Sequence, residues 1–270
     1  MRRNLFTLAV VSLTLSVVSA PAQETPAAPM RIPAAVHSQA ECAGFIAEVP
    51  VPQSLFVVGG GDDDFHSPAR QFVEGESVFF SKTGGQDIAV GAEYRVVRPA
   101  TALFQTVRYR GEAAEIKKLG RPYEDVAQVK VTHLNPEGAV AKVTFSCEAV
   151  LPGDYLIPFQ PRDVPEYTVS KPLDHFMPLD DKNRHEGRIV ASRNNFGTFG
   201  RDTVIYVNLG ERAGTVIGRR LRIYKNIPPQ RTPPETIGEA VVLSVESKSC
   251  VAMIVSSYRE IAAGDYVEME

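Results

Sequence analysis

The sequence predicts an all-β fold of two tandem small barrels behind an export signal and a flexible spacer. Three observations predict it: a glycine-centred turn occurs in two copies, the order of strand-like runs repeats, and the composition favours strands. The turn reads Val150-Leu151-Pro152-Gly153-Asp154-Tyr155-Leu156 and again Ile261-Ala262-Ala263-Gly264-Asp265-Tyr266-Val267. A looser pair lies upstream, Ile88-Ala89-Val90-Gly91-Ala92-Glu93-Tyr94 and Thr215-Val216-Ile217-Gly218-Arg219-Arg220-Leu221. Glycine takes positive φ without a Cβ clash. An Asp beside it can hold a turn by accepting a backbone hydrogen bond. The 270 residues include 20 glycines, 20 prolines and no tryptophan, and 44% are hydrophobic. With abundant valine, that punctuation favours short strands and excludes general disorder.

The chain opens as a secretory leader. Arg2 and Arg3 supply the charged start, Leu5 to Val18 the apolar run, and Ala20-Pro21-Ala22 the small residues of a cleavage site. Residues 1–22 are expected to be removed, leaving a periplasmic or secreted chain that starts near Gln23. Arg2-Arg3-Asn4 also fits the start of a twin-arginine signal, but the strongly apolar run favours the general route. Kept uncleaved, the same segment would be a membrane anchor. No later run is long enough to cross a bilayer, so the cleaved chain is not expected to be an integral membrane protein. The formal net charge is −3. Loss of Arg2 and Arg3 makes the mature chain more acidic, which excludes a global attraction for nucleic acid or an anionic membrane.

Residues 23–40, rich in Pro and Ala, read as a spacer. The first module is expected over 41–160, with strands at Gly44–Ala47, Ser77–Phe80, Tyr94–Arg98 and Tyr155–Phe159. A hairpin joins Val126–Val131 to Ala139–Phe145 through Asn135-Pro136-Glu137-Gly138. Gly111 to Leu119 reads as a short helix in a longer connection. Residues 161–183, charged and proline-containing, read as a linker. The second module, 184–270, repeats the first. Gly187-Arg188-Ile189-Val190-Ala191 parallels Gly44-Phe45-Ile46-Ala47, and Thr203-Val204-Ile205-Tyr206 parallels Ser77-Val78-Phe79-Phe80. Leu221–Lys225 parallels Tyr94–Arg98, and Val251–Ile254 parallels Val140–Val143. About five short strands per module fit a small closed barrel, because closure removes exposed edges. An SH3-like barrel is the first expectation and an OB-like barrel the nearest alternative, each module folding separately.

Gly91, Gly153, Asp154, Gly218, Gly264 and Asp265 are therefore read as structural turn residues. Three cysteines follow the leader: Cys42, Cys147 and Cys250. An oxidising compartment allows one disulfide with one cysteine left over. Cys42 precedes the first strand of its module and Cys147 its closing turn, and first and last strands of a small barrel are neighbours. A Cys42–Cys147 pair is expected, with Cys250 as a buried thiol at the start of an apolar strand. Asp62, Asp63, Asp64 and His66 form an acidic cluster after three glycines, and Asp174, His175, Asp180, Asp181, His185 and Glu186 form another. Either can be imagined around a metal-bound water in a hydrolase, but neither has the spacing of a calcium loop or a zinc site. The expectation is no metal, no cofactor and no catalysis, with a solvated loop and a polar linker instead. Alternation places Arg220, Arg222 and Tyr224 on one strand face, opposite Leu221, Ile223 and Lys225. That face reads as a solvated outer surface able to meet an acidic partner or an anionic wall polymer.

Val204-Ile205-Tyr206, the Gly218 turn before Leu221-Arg222-Ile223-Tyr224, Ile237-Gly238-Glu239 and Gly264-Asp265 resemble the C-terminal SH3-like domain of flagellar assembly protein T. Similar sequence occurs in exported proteins that carry LysM peptidoglycan-binding domains, although no LysM motif is present here. The likeness covers Gly187 to Glu270 best and Glu41 to Phe159 more loosely. It implies a non-catalytic envelope protein that binds a partner protein or peptidoglycan through barrel loops and edges. A metal-dependent hydrolase built on the Asp62–His66 or Asp174–Glu186 segment is the alternative.

Overall fold

The computed structural model describes residues 30–60, 71–83, 87–104, 106–169, 173, 175–176, 186–225 and 233–270. The leader, Asp62 to His66, Asp174 and Asp180 to His185 lie outside the described residues. The first part of the chain gives β1 (Arg31–Pro33), α1 (His37–Glu41), β2 (Phe45–Ala47), β3 (Leu55–Gly60), β4 (Ser77–Lys82) and β5 (Glu93–Pro99). It continues with α2 (Glu112–Leu119), β6 (Arg121–Asn135), β7 (Gly138–Ser146), β8 (Tyr155–Pro158) and β9 (Glu166–Thr168). The rest gives β10 (Glu186–Ser192), β11 (Thr198–Phe199), β12 (Val204–Val207), β13 (Arg220–Lys225), β14 (Glu235–Val245), β15 (Cys250–Ser257), β16 (Ile261–Ala262) and β17 (Tyr266–Met269).

The fold is all-β, and its strands close into two six-stranded barrels. The first ring runs β3-β4-β7-β6-β5-β8 and returns to β3, every neighbouring pair antiparallel. The second runs β10-β12-β15-β14-β13-β17 and returns to β10. Numbered along the chain, both rings have the order first, second, fifth, fourth, third, sixth.

The repeat extends to single hydrogen bonds. At the closing turn Gly153 N donates to Val57 O at 2.8 Å, and Val57 N donates to Asp154 O at 2.8 Å. In the second barrel Gly264 N donates to Ile189 O at 2.7 Å, and Ile189 N to Asp265 O at 3.0 Å. The upstream turn repeats too: Gly91 N donates to Val131 O at 2.8 Å and Gly218 N to Val242 O at 2.9 Å. A third pair, unread in the sequence, joins Gly75 N to Val143 O at 2.9 Å and Asp202 N to Ile254 O at 2.8 Å.

These bonds correct several expectations. Each ring has six strands rather than about five. The counterpart of β10 in the first ring is β3 and not Gly44–Ala47, because Val57 and Ile189 hold the same place against the closing turns. The segment Gly44–Ala47 instead supplies β2, which adds to β6 outside the ring. Val57 to Gly60, just ahead of the acidic cluster, belongs to a strand, so the first two of its three glycines are not part of a loop. The second strands align one residue away from the expected match. Val78 faces Ala141 and Ile205 faces Ala252, so Val78 corresponds to Ile205. A one-residue slip exchanges the inner and outer faces of a strand. The stretches read as spacer and linker also carry structure, since β1 pairs with β9.

Each ring encloses its own core. Val57, Val78, Phe80, Val96, Val129, Ala141 and Leu156 fill the first. Ile189, Ile205, Val207, Leu221, Ile223, Ala252 and Val267 fill the second. A third cluster joins the two parts. Ile46, Ile116 and Leu119 of the first pack against the outward-facing Val190, Val204, Tyr206, Leu243, Val251 and Met253 of the second barrel. The Tyr206 hydroxyl donates to Ala43 O at 3.0 Å across this contact. Helix α2 carries Glu112 and Glu115 in its first turn and Lys117 and Lys118 in its last, as the helix dipole favours.

Candidate functional site

The turn residues share one conformation. Gly91, Gly153, Gly218 and Gly264 have φ of 86°, 94°, 79° and 95°. Asp154 Oδ2 accepts from Leu151 N at 2.8 Å, and Asp265 Oδ2 accepts from Ala262 N at 2.8 Å. The two acids then diverge. Asp154 is buried and takes a two-pronged contact from Arg98, 2.7 Å at each oxygen. Among the described residues no cation pairs with Asp265, and burial raises its carboxyl pKa despite the Ala262 hydrogen bond. Cys42 and Cys147 are disulfide-bonded, with Cα atoms 5.5 Å apart, and Cys250 is a buried free thiol.

Arg220, Arg222 and Tyr224 do lie on the outer face of β13, opposite Leu221 and Ile223 in the core. As an open binding strip, however, the face is corrected by its burial. Arg222 is 3% and Tyr224 2% exposed. Arg222 Nε donates to Glu270 Oε1 at 2.6 Å, and Arg220 Nε to Glu239 Oε2 at 2.7 Å. Tyr224 stacks on Tyr266 with centroids 5.6 Å apart. The outer face of a strand is solvated only where nothing covers it. Of the second acidic segment, His175 lies 3.2 Å from Glu235, itself 2.7 Å from Arg259. Among the described residues no group of His, Cys, Asp and Glu has the arrangement of a metal site. No helix among them is long and apolar enough to cross a membrane.

The site that the sequence did not reveal is a cleft between the barrels, about 470 Å³ in volume. Ile157, Pro158, Gln160 and Arg162 form one wall, and Ile217, Val245 and Glu246 the other. A closed ionic network underlies the first wall. Arg95, 4% exposed, donates to Glu41 Oε2 and to Gln160 O, each at 2.7 Å, and lies 3.3 Å from Asp125. Arg162 pairs with Asp125, and its backbone N donates to Glu41 Oε1 at 2.8 Å. Gln128 Nε2 donates to Glu41 Oε2 at 3.1 Å, and Gly44 N to Asp125 Oδ2 at 2.7 Å. Two arginines and two carboxylates thus neutralise one another and fix the segment that carries Gln160 and Arg162. Arg95 and Asp125 each lie in a strand that carries other charged residues, so the sequence did not single them out. Nothing in the local sequence marked Arg162 or Glu246.

Glu246 faces this network from the β14–β15 turn. Burial raises its carboxyl pKa, Arg162 opposes that rise, and Asp125 adds to it. Among the described residues no side chain bonds or pairs with the Glu246 carboxylate. The fold thus defines a two-barrel protein with a mixed polar and apolar cleft. No family model matches the chain, and no curated protein matches it significantly.

Proposed function

We propose that this is an exported, non-catalytic cell-envelope protein that binds a partner protein or a cell-wall component through its barrel surfaces. The cleft is the observation that carries the reading. Both barrels contribute to it, and its volume of about 470 Å³ falls in the range of about 300–1,000 Å³ usual for binding sites. The Cys42–Cys147 bond supports an oxidising compartment such as the periplasm, because such bonds persist there and are reduced in the cytosol. The finer barrel assignment, SH3-like and akin to the C-terminal domain of flagellar assembly protein T, belongs to the same proposal. No nucleic-acid role enters it, because the chain is acidic overall.

Crosslinking in intact cells tests the reading. A photoreactive residue at Ile217, 58% exposed on the cleft rim, should give a defined adduct with one envelope protein or wall polymer. Recovery of the uncrosslinked protein alone, from the cytosolic fraction, would sink the proposal.

A further inference from the structure

The cleft between the barrels holds one carboxylate more than it holds cations. The charges of Arg95 and Arg162 are matched by those of Glu41 and Asp125. Glu246 stands apart on the opposite wall, partly buried and unpaired among the described residues. Ile157, Pro158, Pro161, Ile217 and Val245 contribute apolar surface to the same cleft, beside the polar Gln160, Arg162 and Ser244. Ile217 is 58% exposed although it is a large aliphatic side chain. A carboxylate held in such surroundings gains most from a cation whose own body is apolar, as long basic side chains are.

We propose that the cleft binds a basic side chain, lysine or arginine, on an extended segment of a partner protein, with Glu246 as its counter-ion. The apolar residues flanking the basic one lie along Ile217 and Val245 on one side and Ile157 and Pro158 on the other. Gln160 and Pro161, both exposed, border the same space. The Glu41–Arg95–Asp125–Arg162 network sets the selectivity. Its two arginines and two carboxylates cancel in sum, so Glu246 is the excess negative charge of the cleft. An anionic ligand meets Glu246 with no free arginine to receive it.

This inference rests on the proposed binding role and narrows it to one surface and one chemistry. Its test uses the intact oxidised protein and a short blocked peptide alternating valine and lysine. Binding is followed by fluorescence anisotropy at low and high salt. The expected result is saturable binding that weakens with salt. Acetylating the lysines should abolish it. Glu246→Gln should weaken it about tenfold or more, the scale of one charge-assisted contact. Ile217→Ser, on the exposed rim, should weaken it without changing the denaturant midpoint. Equal binding by Glu246→Gln, or by the acetylated peptide, would overturn the proposal. So would a wild-type protein that ignores the peptide and instead binds amine-bearing peptidoglycan fragments. If cellular adducts persist while the peptide fails to bind, the assignment of a basic side chain falls and the envelope-binding role stands. If the adducts also vanish, both fall.

Discussion

Gly153 and Gly264 have nearly the same φ, 94° and 95°, but different surroundings. A Cβ at Gly153 would meet open space, whereas one at Gly264 would lie 3.0 Å from the Tyr109 ring. Gly153→Val should therefore cost about 1–2 kcal/mol, the strain of a β-branched residue at positive φ. Gly264→Val should cost about 3 kcal/mol or more, since Tyr109 must also move. The aspartates should rank the other way. Asp265→Ala removes one hydrogen bond, worth about 1 kcal/mol. Asp154→Ala also strips Arg98 of its partner and should cost about 2–3 kcal/mol. Denaturant midpoints of the four variants check both orders, and equal losses at the two glycines would contradict the account. At Cys250, burial pushes the thiol pKa up to about 12, so it stays protonated and shielded at neutral pH. An alkylating reagent should label it only above the unfolding midpoint, as mass spectrometry would show. Labelling of the native oxidised protein would mean that the second core opens readily.

Turns and strands were legible where their cause is local. A glycine at positive φ followed by Asp announces itself within a few residues, and an apolar run marks a strand wherever it lies. Pairing is not local. Gly44–Ala47 and Leu55–Gly60 are both short and apolar, and only contact with the distant Gly153 turn tells which one joins the ring. The β4–β12 slip has the same origin: Val78 and Phe79 are both apolar, so alternation did not decide which faces inward. The outer faces misled for a related reason. Arg222 lies on the solvent side by alternation, yet it is buried and pairs with Glu270. The cleft was the least legible feature, because Arg95, Asp125, Arg162 and Glu246 are scattered along the chain and meet only after both barrels form. The disulfide fixes one side of this assembly, holding α1 and Glu41 against the end of β7. It closes a loop of 105 residues. Replacing both cysteines by serine should cost about 2–4 kcal/mol, measured as the shift in midpoint against the oxidised protein. No shift would mean that the network alone holds α1 in place.

At the scale of the whole molecule, the shared cluster decides how the barrels unfold. Val190, Val204, Tyr206, Val251 and Met253 face outward from the second ring and share a buried cluster with Ile46, Ile116 and Leu119 of the first part of the chain. A fragment of residues 186–270 should keep its ring but expose that surface. It should bind a hydrophobic dye and unfold at a lower midpoint than the same ring in the full chain. The full chain should lose tyrosine fluorescence and far-ultraviolet circular dichroism in one coincident transition. Two resolved transitions would show the barrels to be energetically independent. The closure of the rings also governs the order of assembly. β8 seals the first ring by pairing with both β3 and β5, and β17 seals the second by pairing with both β10 and β13. Until the Gly264 turn and β17 are in place, the second ring is a curled sheet with two bare margins, each able to recruit a strand from another copy. Docking of β17 removes both margins at once, so the interval before it docks is when this barrel most needs protection from its neighbours.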